Sequence, residues 1–163
     1  MEFKYTLNRD EMSYSVSPIN KDEVLSEITI PPQHEGLPVT EICSFAFADC
    51  KDVERLIFPK GLQKIVKYAF RNCRNIKTLN FPKTLVFIGF KAFEGCNGVK
   101  TIIFRNPQTD FKLLPPSWNA APPIFLPFED CEKLEQVYVP YGSKEWYSKF
   151  IDSSLIIEKD ILE

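Results

Sequence analysis

The pentapeptide Ala-Phe-Ala-Asp-Cys at residues 46–50 recurs as Ala-Phe-Arg-Asn-Cys at 69–73 and as Ala-Phe-Glu-Gly-Cys at 92–96. Successive copies lie 23 residues apart. A fourth Phe-x-x-Cys, at Phe128 and Cys131, follows 35 residues after the third, which is one repeat plus an insertion of 12 residues. Self-similarity at this period predicts that the chain folds as a stack of equivalent turns.

An apolar pattern accompanies each pentapeptide and extends the repeat. It runs apolar-x-x-apolar-x-apolar, then a turn that usually contains Pro, then Ile before the Ala-Phe pair, and its copies begin at Leu25, Val53, Ile76, Val99 and Leu134. The final apolar-x-apolar alternates with period two, which predicts a short strand with one buried face. Pro after the strand ends it, because Pro has no N–H to donate to a ladder. The Ala-Phe segments predict short helical or 3₁₀ turns that pack inward.

The repeated Phe and Cys side chains are expected to form the core. Phe47, Phe70 and Phe93 should stack as an aromatic spine, because equivalent residues of neighbouring coils face each other. Four of the five cysteines occupy the repeat position, and no C-x₂-C pair suited to zinc occurs in the sequence. Parallel side chains on stacked coils do not face each other as a disulfide requires. We therefore predict free, buried cysteines, of which Cys43 is the most exposed.

Composition limits the kinds of partner and chemistry. The chain is 44% apolar with 14 Phe, and its net charge is −2 with scattered Lys and Arg, which argues against nucleic acid or an anionic membrane as the main partner. No apolar run approaches the roughly 18 residues of a membrane span. The N-terminus lacks the order of a secretory signal, which leaves an intracellular protein or a processed chain. The one histidine, His34, is predicted to be a solvated loop residue, and no catalytic, metal or cofactor motif is present. We expect no enzymatic activity, no metal and no cofactor.

The two ends differ from the repeats and are expected to seal the stack. Residues 3–7 and 14–16 alternate around the turn Asn-Arg-Asp-Glu, which predicts a hairpin. After Ser143, a predicted N-cap, an apolar helical face is formed by Trp146, Tyr147, Phe150 and Ile151. Residues 155–157 are predicted to form a last edge strand.

The domain prediction is one unit over residues 1–163. It comprises an N-terminal cap at 1–24, repeats at 25–140 interrupted by an insertion at 105–127, and a C-terminal cap at 141–163. The insertion contains Pro127 where the other turns have Ala, so we expect that turn to be more open. The fold class predicted is an α/β solenoid of about five coils.

The repeat resembles the BspA-like leucine-rich repeats, also called Treponema pallidum-type repeats. The likeness covers about residues 25–140, and Gly36–Ile42 resembles the entry into the first full repeat of that family. The resemblance implies a right-handed solenoid with a parallel sheet on its concave side. It further implies a bacterial surface or secreted protein that binds host or microbial proteins.

Alternation identifies the candidate binding residues on the outward face of the strands. After Glu27 and Thr29 of the first copy, they are Arg55, Ile57, Thr78, Asn80, Thr101, Ile103, Gln136 and Tyr138. A strip that mixes Thr, Ile and Tyr can mark a contact surface, although β-branched residues are also simply good strand formers. Trp118 in the Pro-rich insertion is a second candidate, either as an interface anchor or, as we favour, as a cover for the last coil.

The function predicted is a non-catalytic protein-binding or adhesion module that uses the concave sheet. Its partner would be a protein of the host extracellular matrix or of another microbial surface. Two alternatives remain open: a structural spacer without a ligand, and a carbohydrate-binding module with Tyr138 and Trp118 as aromatic platforms.

Overall fold

The repeats build two ladders of short strands with almost no helix. The computed structural model describes residues 1–111 and 127–161, and Trp118 lies outside them. The one helix in these two ranges is α1, Lys144–Tyr147. The strands are β1 Phe3–Leu7, β2 Tyr14–Pro18, β3 Glu27–Thr29, β4 Gln33–His34, β5 Leu37–Ile42, β6 Arg55–Ile57, β7 Lys64–Ile65, β8 Thr78–Phe81, β9 Phe87–Ile88, β10 Thr101–Phe104, β11 Asp110–Phe111, β12 Gln136–Val139 and β13 Ile156–Glu158.

The predicted strands form one face of the stack, which we call the principal sheet. It contains β3 paired with β6, and β8, β10, β12 and β13 paired in that order, with every pair parallel. Equivalent residues pair one coil apart, so that Thr101 lies beside Thr78 and Gln136 beside Thr101. The parallel solenoid is therefore confirmed. Its six principal strands give about six turns, where about five coils are predicted from the repeat.

A second ladder, absent from the prediction, closes the opposite side of each coil. Strands β2, β5, β7, β9 and β11 pair in parallel, β1 pairs antiparallel with β2, and β4 pairs antiparallel with β5. Most of its members are two residues long, which is too short for an alternating pattern to show in the sequence. The coils from β3 to β11 thus alternate between the two ladders, whereas between β12 and β13 the described residues contain α1 and no strand of the second ladder.

The Ala-Phe segments are inward-packing turns closed by i→i+3 hydrogen bonds, as predicted for 3₁₀ turns, but they do not extend into helix. Ala46 N–H donates to the Cys43 carbonyl at 3.2 Å, and backbone hydrogen bonds between residues three apart recur in each coil. Helix cannot continue through them, because two positions in each of the first three turns and one described position in the fourth have positive φ, where right-handed helix is impossible. These positions are Phe45, Tyr68 and Lys91, and then Asp49, Asn72, Gly95 and Asp130. Each residue of the second set stands directly before a repeated Cys, and Asp, Asn and Gly are residues that turns favour.

The predicted interior is confirmed. The Phe47–Phe70 and Phe70–Phe93 ring centroids are 5.1 and 5.2 Å apart, and the rings are nearly parallel. Phe128 extends the stack at 5.6 Å from Phe93. All four rings belong to the core cluster or pack directly against it.

The cysteines are free, and each of the last three bonds to the coil before it. Cys73 and Cys96 donate their thiols to the carbonyls of the Phe residues 26 positions earlier, at 3.1 Å in both cases. Cys131 makes the equivalent contact at 3.5 Å. The pKa of Cys96 is raised by its hydrogen bond with Cys73 and by burial, and burial raises the pKa of Cys131. Cys43 is half-buried, as is Cys131.

Three local expectations need correction. His34 is not a free loop residue: it lies in β4, and although 35% of its side chain is exposed, its ring stacks on Tyr5 with a centroid distance of 3.8 Å and meets Tyr14 edge-on at 5.0 Å. Ser143 is the N-cap residue of α1, as predicted, but its side chain makes no cap hydrogen bond, because its backbone is already helical. Pro127 does not open its turn, since its carbonyl accepts from Phe93 N–H at 2.7 Å as Ala92 does from Phe70.

The last coil is closed by aromatic side chains. Tyr147 is fully buried against Phe104, with ring centroids 4.6 Å apart. Its hydroxyl donates to the Asn106 carbonyl at 2.6 Å, and burial raises the pKa of Tyr147 to about 12. Trp146 Nε1 donates to the Thr109 carbonyl at 3.1 Å.

Candidate functional site

The outward face of the principal sheet is accessible along its length. The exposed members of the predicted strip are Arg55, Ile57, Thr78, Asn80 and Gln136, and the half-buried ones are Thr101, Ile103 and Tyr138. Their neighbours in sequence, such as Leu56, Leu79 and Ile102, are buried, as the period-two alternation requires. The structure therefore brings these eight residues together on one surface, which we call the outward strip.

Local interactions already occupy part of this strip. Arg55 forms an ion pair with Glu27 at 3.1 Å, and its side chain remains 72% exposed. The Tyr138 hydroxyl donates to Gln136 Oε1 at 2.7 Å, and the Lys159 ammonium lies 5.4 Å from the centre of the Tyr138 ring. Because a cation covers one face of Tyr138, this ring is a poor platform for stacking a sugar.

The principal sheet is interrupted between β6 and β8, which are not hydrogen-bonded to each other, and we call this interruption the missing rung. Arg55 N–H donates to the Ser26 carbonyl at 3.1 Å, Thr101 N–H to Lys77 at 3.3 Å and Gln136 N–H to Lys100 at 3.1 Å. Within residues 1–111, no equivalent bond joins Thr78 N–H to the Glu54 carbonyl, and β6 does not pair with β8. Each of these two strands therefore presents a row of unpaired backbone groups toward the other, as an edge strand does.

A cleft runs along this break and opens beyond the ends of the strands. The part between β6 and β8, the sheet cleft, has a volume of about 470 Å³ and is lined by residues 54–58 together with Lys77, Thr78 and Asn80. The part beyond the strands, the basic cleft, has a volume of about 250 Å³ and is lined by Phe58, Lys60, Asn80, Pro82, Lys83, Thr84 and Arg105. Phe58 and Asn80 line both parts.

The basic cleft was missed by the sequence reasoning. Lys60 and Lys83 each follow the Pro that ends a strand, and Arg105 occupies the position of that Pro in the next copy. The signal was therefore a cation in the same turn of three successive copies. The alternation argument could not detect it, because that argument covers strands and these residues lie in the turns after them.

The described residues show no other feature that points to chemistry. Across 1–111 and 127–161 no group of three His, Cys, Asp or Glu side chains could hold a metal ion. In the same residues no helix is long and apolar enough to cross a bilayer.

The repeat geometry agrees with what sequence comparison finds. The BspA type leucine rich repeat region, a family defined on six copies, matches residues 20–113, which is more than half of the chain. The protein belongs to this family. Among curated protein sequences, none matches the chain significantly.

Solved bacterial structures share the fold. The leucine-rich repeat protein of T. pallidum matches with a TM-score of 0.61 and 22% identity, over 86% of this chain and 70% of that one. A leucine-rich cell surface protein of Faecalibacterium prausnitzii matches with a TM-score of 0.58 and 15% identity, over 98% of this chain and 42% of that one. The pneumococcal vaccine antigen PcpA matches with a TM-score of 0.57 and 21% identity, over 92% and 42%. This chain therefore spans less than half the length of the last two proteins.

Proposed function

We propose that this protein is a non-catalytic protein-binding module that acts at a bacterial surface or after secretion and binds through the outward strip. The observation that supports it most is the strip itself: polar, charged and apolar side chains stand in register on parallel strands across the coils. A solenoid presents such a strip as one extended surface, which suits a protein partner better than a small molecule. The cell-surface relative from Faecalibacterium prausnitzii is consistent with the proposed location.

The packing of the histidine supports the non-catalytic part of the proposal. Any apparatus that uses histidine as a base would depend on His34, the one histidine in the sequence. Its ring is packed against Tyr5 and Tyr14, beside Glu35, whose carboxylate accepts from the Tyr14 hydroxyl at 3.1 Å. This arrangement stabilises the N-terminal hairpin against β4.

A binding panel tests the proposal. The purified 163-residue protein is immobilised, and binding of purified extracellular-matrix proteins and mucins is measured by biolayer interferometry. The double variant Thr101→Glu with Tyr138→Ala alters the strip on the neighbouring strands β10 and β12. The matched control is Asn75→Glu with Tyr141→Ala, which likewise introduces one Glu and removes one Tyr ring, at exposed residues outside the strip.

We expect at least one protein of the panel to bind, and the strip variant to lose about tenfold or more in affinity, because a few contacts dominate interface energies and Tyr is enriched among them. The control should bind as the wild type does. Equal losses in both variants would place the binding surface elsewhere. Failure of the whole panel to bind would favour the spacer alternative, and binding confined to a glycan array would favour the carbohydrate alternative.

A further inference from the structure

The basic cleft concentrates positive charge on a molecule that is acidic overall. The chain has a net charge of −2, yet Lys60, Lys83 and Arg105 line one cleft, and no carboxylate lines it. Among the residues that the structure describes, none of these three cations takes part in an ion pair. Unpaired cations around a concave surface favour an anionic occupant.

The same cleft has an apolar wall and a defined rim. Phe58 is half-buried there, whereas the equivalent Phe81 and Phe104 of the next coils are fully buried. Pro82 faces the same space. The Arg105 guanidinium donates to Asn80 Oδ1, and Asn106 Nδ2 donates to the Lys83 carbonyl at 3.1 Å, so the turns that carry the cations are held to each other. An occupant could therefore place an apolar group against Phe58 and a negative group beside Lys83 and Arg105.

The adjoining sheet cleft offers the groups that a peptide backbone needs. Because of the missing rung, the Thr78 N–H is not hydrogen-bonded to the Glu54 carbonyl. A peptide backbone carries both a donor and an acceptor in every residue, so it can satisfy both kinds of group at once.

We propose that the two adjoining clefts together bind a short extended acidic peptide segment of a partner protein, with its carboxylates at Lys60, Lys83 and Arg105. The proposal deepens the function given above and rests on it, since the cleft lies beside Thr78 and Asn80 of the outward strip. The peptide backbone lies along the sheet cleft, and an apolar side chain next to the carboxylates packs on Phe58.

The charge distribution favours a peptide over a sulfated glycan or a nucleic acid. The sheet cleft carries Arg55 and Lys77, but Arg55 is paired with Glu27 and Glu54 adds a carboxylate, so positive charge there is offset and does not continue unbroken from the basic cleft. A long polyanion binds best where positive charge is continuous, because each neutralised group adds to affinity. A peptide with acidic residues at one end matches a cleft that is basic at one end.

Nuclear magnetic resonance titration tests this proposal on the whole chain. The probe is the acetylated and amidated octapeptide STSTLDLD, added to the isotope-labelled protein up to millimolar concentration. We expect amide shifts to cluster at Lys60, Thr78, Asn80, Lys83 and Arg105. In the twin peptide STSTLNLN, both acidic residues are replaced by neutral amides. Its affinity should be lower by about fivefold or more, because exposed charge pairs contribute modestly but measurably to binding.

Charge-matched variants separate the site from general electrostatics. Lys83→Gln with Arg105→Gln should weaken binding of the acidic peptide by about fivefold or more. Lys51→Gln with Lys133→Gln removes the same charge from exposed residues elsewhere and should change it less than about twofold. An unchanged melting temperature shows that both variants are folded.

Three outcomes would overturn the proposal: no shifts at millimolar peptide, equal binding of the two peptides, or equal losses in the two double variants. Tighter binding of a heparin-derived disulfated disaccharide than of the acidic peptide would also overturn it, and would make the site one for sulfated glycans. If the peptide fails while the variant Thr101→Glu with Tyr138→Ala still loses its protein partner, this inference falls and the proposed function stands. If the peptide binds at the cleft while no protein of the panel binds, the peptide site stands and the proposed binding of extracellular-matrix proteins and mucins through the outward strip falls.

Discussion

The interior of the stack is more regular from coil to coil than its principal sheet. Inside, successive Phe ring centroids are separated by 5.1, 5.2 and 5.6 Å from Phe47 to Phe128, even though an insertion precedes the last ring. In the principal sheet, the rung between Glu54 and Thr78 is missing, although these coils are an uninterrupted 23 residues apart. The second ladder of the same two coils remains paired, with Ile65 beside Ile88.

This difference shows that an equal repeat length does not make every coil interface equal. Buried side chains are restrained by close packing, so the loss of even one methylene group changes stability. Strand edges at the surface can instead bond to water, so a missing rung there costs little. The irregular part of a regular solenoid is therefore where a partner can find coil-specific groups.

The largest expected effect is on the interior. Replacing Phe70 by Ala removes the middle of the aromatic stack and should lower the free energy of unfolding by about 3–5 kcal/mol. Urea unfolding followed by circular dichroism measures it. The control Phe45→Ala, at a ring that is 42% exposed, should lose less than about 1 kcal/mol. Similar losses in the two variants would mean that the stack is not the stabilising feature of the fold.

Alkaline pH should weaken the end of the stack. Tyr147 has its pKa raised from 10.0 to about 12 by burial, so the folded protein favours the neutral phenol. Below the pKa of the unfolded state, Tyr147 contributes its full stabilisation. As pH rises from about 10 to about 12, its contribution to the free energy of unfolding falls by about 2–3 kcal/mol. Urea unfolding of wild type and Tyr147→Phe at a series of pH values measures it, and the wild type should lose stability more steeply. Parallel curves for the two proteins would contradict this account of Tyr147.

Close contact between coils can be tested at a glycine. A Cβ added at Gly98 would lie 2.2 Å from the Arg74 carbonyl oxygen of the preceding coil, which is backbone and cannot swing away. Gly98→Ala should therefore destabilise the protein by about 1–3 kcal/mol. Gly61→Ala, whose added Cβ meets nothing within 4 Å, is the matched control and should be close to neutral. Thermal melts of the two variants suffice, and equal melting temperatures would show that the coils separate easily.

The smallest effect concerns the missing rung itself and needs no mutation. Amide hydrogen exchange should be about tenfold or more faster at Thr78 than at Thr101, because Thr101 N–H is bonded to Lys77 and Thr78 N–H lacks the equivalent bond. Exchange resolved by nuclear magnetic resonance compares both amides in one sample. Equal protection would mean that the principal sheet closes in solution, and the sheet cleft would then not exist.

Much of the fold could be predicted because the repeat itself carries the information. Phe47, Phe70 and Phe93 recur at one interval, and stacking equivalent turns is the arrangement that buries them all. The outward strip followed from alternation in the same way. The two-residue strands such as Lys64–Ile65 could not be predicted, because they are shorter than any periodic pattern. The stacking of His34 on Tyr5 was missed because it joins two segments far apart in the chain.

The sequence by itself determined the coil length, the residues that face inward and the strands of the principal sheet, since hydrophobic burial at a fixed period leaves one way to stack the copies. Only the tertiary structure decided which coils are hydrogen-bonded along that sheet and which cations share a cleft. Pairing between strands depends on distances across coils that a local pattern does not encode. Lys60, Lys83 and Arg105 become neighbours only when three turns, each unremarkable alone, are brought side by side.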